Sequence, residues 1–174
     1  MQLEVKGIDT LIKKMDMLAA NVQNDVQAEL NAWADDTAAN AKSLVRTNSS
    51  DEGMLLRSIS PKYGQGLASV VASAKYAAYI EFGTRKYAAD YVSSLPADWQ
   101  TYAATFKGKA GGTFKEFLLS IMGWVSRKGI DKKAAYPIAR KIMIDGIRAK
   151  PFLYPSVQKT LPELKKNLIA IFKL

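Results

Sequence analysis

The chain contains a stripe of apolar residues, spaced by three and four, that can form one side of a long helix. The stripe consists of Val22, Val26, Leu30, Trp33, Thr37, Ala41 and Leu44. Alanine, the residue with the highest helix propensity, occupies many of the positions between them. The spacing therefore predicts a helix from Asn21 to about Arg46, with Trp33 as an anchor in the core.

The segment before that helix repeats the same spacing in a shorter run. Its apolar residues are Ile8, Leu11, Ile12, Met15 and Leu18. Asp9 or Thr10 can cap a separate helix here, because both side chains accept hydrogen bonds from free backbone N–H groups. Residues 2–6 alternate between polar and apolar side chains, which predicts a short strand that ends at Gly7.

The middle of the chain has the pattern of a β-hairpin, and the last third has the pattern of helices. Two strand-like segments, residues 56–63 and 67–74, flank the turn sequence Gly64-Gln65-Gly66. Helices are predicted over residues 114–128, 132–147 and 161–174, with Thr113 and Asp131 as caps and residues 151–155 as a rigid connector. Pro137 predicts a kink or a delayed start in the second of these helices.

Residues 85–113 show no clear periodicity, which predicts a long inserted or mobile loop. We therefore expect an α+β fold, in which a small antiparallel sheet packs against several α-helices. The sheet would contain the hairpin at about residues 55–74 plus short strands. A chain of 174 residues can bury one core, so we expect a single domain over residues 1–174, with a basic helical portion at residues 114–174.

The chain has no cysteine and no histidine. These absences exclude disulfides, thiolate nucleophiles, imidazole metal ligands and the catalytic triads that use histidine. Ser156 and Lys159 match a Ser-x-x-Lys pattern, but its companion motifs are missing, so we interpret the match as chance. We expect no catalytic site, no cofactor and no metal, and hence a protein that is not an enzyme.

The formal net charge of +9 is concentrated in the last part of the chain. Residues 107–174 hold 15 basic and 4 acidic side chains, whereas residues 1–106 have 10 basic and 12 acidic ones. These excess positive charges can lie on a solvated helical face, or on a surface that binds an acidic protein or DNA. Candidate contact residues are Lys107, Lys109, Arg127, Lys128, Arg148 and Lys150. A nucleic-acid-binding protein that uses residues 107–174 is the alternative function.

Signals for export and membrane insertion are missing from the sequence. Residues 1–7 lack a basic segment followed by an apolar one, and no apolar run approaches the length of a membrane-spanning helix. We therefore expect a protein that is made and kept in a reducing compartment and does not contact a membrane.

Several short blocks in a fixed order resemble the tail-component family of long-tailed bacteriophages and prophages, the neck, tail-completion or head–tail joining proteins. The most specific blocks are residues 76–84 (YAAYIEFGT) and 151–155 (PFLYP), and residues 124–130 (WVSRKGI) are similar to longer members. The motif residues are Tyr76, Tyr79, Glu81, Phe82, Gly83, Thr84, Trp124, Pro151, Phe152 and Pro155. Departures from the family pattern occur at Asp51-Glu52 and at Arg85-Lys86.

The resemblance implies a non-enzymatic virion assembly protein. Such a subunit would form a homo-oligomeric ring at the junction of phage head and tail, bind other neck and tail proteins, and contact phage DNA transiently. It would be assembled in the cytoplasm of the bacterial host and reside in the virion. At the residue level we expect Phe82 and Phe152 to be buried, and Gly83 to adopt a backbone conformation that other residues disfavour.

Overall fold

A computed structural model describes residues 8–48, 53–106 and 113–172. The predicted strand at residues 2–6 lies outside the described residues. Two compact units are formed, the first by Met1–Ala74 together with Phe152–Leu174 and the second by Lys75–Pro151. The expectation of a single domain stays a prediction.

The described residues are mostly helical, with one two-stranded antiparallel sheet, so the predicted α+β class is confirmed. The first unit contains α1 (Ile8–Asn48), α2 (Met54–Ser58), β1 (Ile59–Gly64), β2 (Leu67–Ala72) and α8 (Leu153–Ile171). The second unit contains α3 (Ala77–Phe82), α4 (Arg85–Val92), α5 (Ala97–Ala104), α6 (Phe114–Arg127), a 3₁₀ turn (Lys132–Ala134) and α7 (Ala135–Asp145).

Helix α1 is continuous, whereas the sequence predicted two helices separated near Asn21. The prediction of a break was wrong because Asn21 can also occupy a helix interior, and the segment contains neither glycine nor proline. At 1.5 Å per residue the helix is about 60 Å long. Trp33 is half-buried, and its indole N–H has no hydrogen-bond partner among the described residues.

Helices α1 and α8 pack antiparallel and are joined by paired polar side chains. The pairing runs in opposite directions along the two helices, because Glu29 accepts from Asn167 at 3.0 Å and Asn40 accepts from Lys159 at 2.8 Å. Between them, the hydroxyl oxygens of Thr37 and Thr160 lie 2.6 Å apart. Thr37 is buried at this contact, and α1 also buries Ala34, Ala38, Ala41 and Val45.

Helix α8 begins much earlier than the predicted start at residue 161. Residues 153–155, which were predicted to belong to a rigid connector, form its first turn. Pro155 is tolerated there because the first turn of a helix leaves its N–H groups unpaired in any case. Ser156 is buried, and its hydroxyl donates to the carbonyl oxygen of Phe152 at 2.6 Å, which secures that turn. Pro162 lies inside the helix.

The predicted hairpin is present but shorter than expected. Strands β1 and β2 pair from Ile59 opposite Ala72 to Gly64 opposite Leu67, and Gln65-Gly66 forms the turn. Leu56 lies in α2 and not in a strand, because the positive φ of Gly53 lets the chain turn into a short helix directly before β1.

The hairpin is fixed along α1 by two polar contacts. The Tyr63 hydroxyl donates to the Asp35 carboxylate at 2.6 Å, and the Gly66 N–H donates to the side-chain oxygen of Gln27 at 2.7 Å. The bond to Asp35 raises the pKa of Tyr63, because it stabilises the protonated phenol. The turn of the hairpin therefore lies beside Gln27, well inside the length of α1.

Residues 85–106 form helices, whereas the sequence predicted a loop over residues 85–113. Helices α4 and α5 have eight residues each and are separated by residues 93–96, which include Pro96. Helices this short give too few turns for a periodic pattern to be recognised. Residues 107–112 lie outside the described part of the chain.

Helices α6 and α7 agree with the sequence analysis. Thr113 accepts from the Glu116 N–H, and the Glu116 carboxylate accepts from the Thr113 N–H at 2.7 Å, which forms a capping box. This bond lowers the pKa of Glu116, because it stabilises the ionised carboxylate. Asp131 caps the 3₁₀ turn, and α7 starts late enough that Pro137 falls in its first turn.

Replacing Thr113 by alanine is expected to lower the free energy of unfolding by about 1 kcal/mol, because the Glu116 N–H at the start of α6 loses its acceptor, the Thr113 hydroxyl. Urea unfolding followed by tryptophan fluorescence measures the change. Thr101→Ala is the matched control, since its hydroxyl bonds only the Ala97 carbonyl within α5. Equal losses in the two variants would contradict the capping role.

Candidate assembly surfaces

In the second unit, the block at residues 76–84 forms backbone hydrogen bonds with the segment that precedes the block at residues 151–155. The Thr84 N–H donates to the Ile147 carbonyl at 2.9 Å, and the Ile147 N–H donates to the Thr84 hydroxyl at 2.8 Å. The Lys150 N–H donates to the Ile80 carbonyl at 2.8 Å. We call residues 80–84 and 146–150 together the backbone clasp. It joins the end of α3 to the segment that follows α7.

The clasp requires glycine at two positions. Gly83 has φ 76° and ψ −168°, and Gly146 has φ 93° and ψ −170°, a region that only glycine occupies readily. A Cβ atom on Gly83 would lie 2.8 Å from the Ile147 carbonyl oxygen, and one on Gly146 would overlap the Thr84 carbonyl. The prediction that Gly83 adopts a disfavoured conformation is confirmed.

Phe82 is the centre of an aromatic cluster, and its predicted burial is confirmed at 5% exposure. Its ring centroid lies 6.4 Å from that of Trp99, 6.1 Å from that of Tyr102 and 5.9 Å from that of Phe106. Tyr102 and Phe106 remain 49% and 42% exposed. The cluster therefore combines a buried anchor with an aromatic surface of the kind enriched in protein interfaces.

The other motif residues differ in their environments. Phe152 is buried at 1% exposure, as predicted, whereas Tyr76 is exposed at the start of α3. Glu81 is a buried carboxylate at 2% exposure. The remaining motif residues, Tyr79, Thr84, Trp124, Pro151 and Pro155, are half-buried. A contact role for these residues stays a proposal.

The first unit contains an apolar groove beside the hairpin turn. It has a volume of about 770 Å³. Its lining includes Val22 and Val26 from α1, Tyr63 and residues 64–66 from the hairpin, and Phe172 from the end of α8. Tyr63 is 53% exposed and Phe172 is 68% exposed. No sequence pattern predicted this groove, because residues from three separate segments of the chain line it.

The candidate basic residues occupy several parts of the chain. Lys107 and Lys109 lie outside the described residues. The described candidates, Arg127, Lys128, Arg148 and Lys150, are all exposed. The Arg148 guanidinium lies 5.2 Å from the centre of the Tyr87 ring, which is a cation–π contact.

The 3₁₀ turn and α7 carry three further basic residues that were not among the contact residues predicted from the sequence. Lys132, Lys133 and Arg140 are exposed, and their side chains form no ion pair with any described residue. Lys141, by contrast, pairs with Asp145 at 2.9 Å. This pair raises the pKa of Lys141 and lowers the pKa of Asp145, because the hydrogen bond between them, and then their opposite charges, stabilise both ionised forms.

Residues 9–83 match the family model described as "Bacteriophage HK97-gp10, putative tail-component". This match confirms the resemblance to a phage tail-component family. It covers fewer than half of the 174 residues. No curated protein and no solved structure gives a significant match to the chain.

The part that matches the tail-component family begins in the first turn of α1 and ends at Gly83. It therefore includes α1, the hairpin and one side of the clasp. The other side, residues 146–150, lies beyond the match, as does the block at residues 124–130. For the blocks at residues 124–130 and 151–155, the resemblance rests on the sequence alone.

The described residues contain no group of three or more histidine, cysteine, aspartate or glutamate side chains that could hold a metal ion. No helix within them is long and apolar enough to cross a membrane. The Ser156 hydroxyl and the Lys159 ammonium, which matched the Ser-x-x-Lys pattern, donate to the Phe152 carbonyl and the Asn40 side chain, respectively.

Proposed function

We propose that this protein is a non-enzymatic virion subunit that forms a homo-oligomeric ring at the head–tail junction of a long-tailed phage. The match of residues 9–83 to a phage tail-component family carries the proposal. The ring and its place at the junction go beyond that match and follow from the resemblance to neck and tail-completion proteins. The subunit would bind other neck and tail proteins as well as its own copies.

The surface of each unit supports an assembly role. The first unit exposes Tyr63, Leu67 and Phe172 by more than half of their area, and the second leaves half of Tyr102 uncovered. Large apolar and aromatic side chains that remain exposed are typical of surfaces that become buried on assembly. Ring formation would cover such residues.

Electron microscopy of phage particles produced without this protein tests the proposal. We expect full heads without attached tails, or incomplete tails, and a loss of infectivity of several orders of magnitude. Supply of the wild-type protein in trans is the control and should restore joined particles. Gold labelling of a tagged, complementing protein should mark the head–tail junction. Normal, infectious particles without the protein would contradict the proposal.

A contact with DNA is the second candidate function, and Lys132, Lys133 and Arg140 favour it because they form no ion pair within the described part of the chain. Cationic side chains without acidic partners can neutralise phosphates and release counterions, so binding weakens as salt rises. A subunit at a junction through which DNA passes would meet the duplex only transiently. This contact would be independent of base sequence.

Fluorescence anisotropy with linear duplex DNA at several salt concentrations tests this second function. We expect the double variant Lys132→Glu/Lys133→Glu to bind more weakly, with a salt slope reduced by about 2. Lys62→Glu is the control, because Lys62 is exposed on β1 in the other unit. No binding at low salt, or equal weakening by the control, would exclude a specific role for this surface.

A further inference from the structure

Another pocket, smaller than the apolar groove, lies in the second unit between α4, α7 and the backbone clasp. Its volume is about 270 Å³. Its lining includes Tyr87 from α4, Ile138 and Ile142 from α7, and Ile147 and Arg148 from the clasp. We call it the Tyr87 pocket. Both the N–H and the carbonyl of Ile147 are bonded in the clasp, which fixes this wall of the pocket.

The floor of the Tyr87 pocket is apolar. Three half-buried isoleucine side chains, Ile138, Ile142 and Ile147, contribute to it. The volume of the pocket is below the range of roughly 300–1,000 Å³ that is typical of small-molecule and cofactor sites. A single apolar side chain of a partner therefore suits the pocket in size and character, because its burial removes apolar surface from water on both molecules.

The rim of the pocket is positively charged. Lys141 and Arg148 belong to the lining and are exposed. Asp145 also belongs to the lining, but it is already paired with Lys141 at 2.9 Å. The pKa of Asp145 is lowered by Lys141 and also by the charge of Lys86, which is exposed one residue before Tyr87. Lys86 and Arg148 form no ion pair with any described residue, so both are available to a carboxylate.

Arg148 is positioned by an aromatic ring. Its guanidinium lies 5.2 Å from the centre of the Tyr87 ring, and its side chain forms no hydrogen bond with the described part of the chain. The planar set of N–H donors on a guanidinium matches the two oxygens of a carboxylate. Because the contact with Tyr87 restricts the Arg148 side chain, less entropy is lost when a carboxylate binds it.

The charge of the second unit indicates which partner fits. Residues 75–151 contain 14 basic and 6 acidic side chains, whereas residues 1–74 and 152–174 together contain 11 basic and 10 acidic ones. A second copy of the chain therefore offers no excess of carboxylates, and an acidic segment of another protein complements this unit better. Duplex DNA is also acidic, but contacts to its phosphates would leave the isoleucine floor uncovered.

We propose that the Tyr87 pocket binds an acidic segment of another virion protein. One apolar side chain of that segment would cover the isoleucine floor, and the carboxylates beside it would pair with Lys86 and Arg148. The inference rests on the proposed function, in which the subunit binds other neck and tail proteins, and it names one site and the chemistry of its partner.

Fluorescence anisotropy with a labelled heptapeptide tests this site on the full-length protein. The peptide has one leucine between three acidic residues on each side. We expect it to bind, and we expect binding to be about tenfold weaker when serine replaces the leucine, because the apolar contact with the floor is then lost. Equal binding of the two peptides, or binding of neither, would overturn the proposal.

Variants of the rim provide a second readout. We expect Lys86→Glu/Arg148→Glu to bind the leucine peptide about tenfold more weakly than the wild type, because attraction of its carboxylates becomes repulsion. Lys75→Glu/Lys115→Glu is the matched control with the same change of charge, since both lysines are exposed in the second unit and lie outside the pocket lining. Circular dichroism should show equal helix content in all three proteins. Equal weakening in the two double variants would contradict a role for this rim.

Duplex DNA and phage particles separate the remaining alternatives. DNA binding that falls in Lys86→Glu/Arg148→Glu, without any binding of the leucine peptide to the wild type, would overturn the proposal and assign the rim to DNA. Joined, infectious particles that contain this double variant would also overturn it while leaving the proposed function intact. Normal particles without any of the protein would instead remove the function itself.

Discussion

Gly146→Ala is expected to destabilise the second unit by about 3 kcal/mol or more. A Cβ atom at this position would overlap the Thr84 carbonyl, which is backbone and cannot rotate away as a side chain can. The φ of 93° adds strain that alanine cannot relieve. The chain must therefore open the clasp to accept even one methyl group. Urea unfolding measures the loss, and hydrogen exchange should show faster exchange at residues 80–84 and 146–150.

Gly129→Ala is the matched control for this variant. Gly129 also has a positive φ, 68°, but a Cβ atom there would meet nothing within 4 Å. Its replacement therefore isolates backbone strain and should cost only about 1–2 kcal/mol. Gly83→Ala should resemble Gly146→Ala, since its Cβ atom would press on the backbone of Ile147 and Ala149. If Gly146→Ala lowers the free energy of unfolding no more than Gly129→Ala does, the clash between the new Cβ atom and the Thr84 carbonyl is not destabilising.

Phe152→Ala is expected to lower the free energy of unfolding by about 3–5 kcal/mol. Phe152 is the largest fully buried side chain in the described part of the chain, at 1% exposure. It directly precedes α8, and its carbonyl accepts the Ser156 hydroxyl. Truncation would leave a cavity at the start of the helix that completes the first unit. Thermal and urea unfolding, monitored by circular dichroism, measure the effect.

Ile169→Ala is the control on the same helix. Ile169 is 54% exposed, so its truncation removes apolar area without opening a cavity. A loss of about 0.5 kcal/mol or less is expected there. Comparable losses at residues 152 and 169 would contradict the anchoring role of Phe152.

The elements with strong local signals were predicted correctly. The cap at Thr113 and the glycine at residue 129 bound α6 within one residue of the prediction. The turn at Gly64–Gly66 correctly located the hairpin. In each of these cases the signal lies within a few residues of the structure that it determines.

Other boundaries depended on contacts that a local pattern does not contain. Residues 151–155 were predicted to form a rigid connector, yet α8 spans Leu153–Ile171 and contacts α1 through Thr160 and Thr37. The predicted break in α1 near Asn21 is absent, because a residue that can cap a helix does not force a helix to start there.

The candidate site was predictable only in part. The block that contains Phe82 and Gly83 was recognisable, and both residues behave as expected. The need for glycine at residue 146 was not predictable, since it arises from the carbonyl of Thr84, which is more than sixty residues away. The groove at Val26 and Phe172 likewise depends on tertiary proximity.

The first unit is assembled from both ends of the chain, and this order has a consequence for biosynthesis. Thr37, which pairs with Thr160, leaves the ribosome more than one hundred residues before helix α8. At about 5–20 residues per second, the face of α1 that contacts α8 stays uncovered for roughly 5–25 s. The second unit, which is continuous in sequence, can fold during this interval. Nascent chains that stall before Leu153 would expose this face of α1 and become substrates for chaperones and proteases.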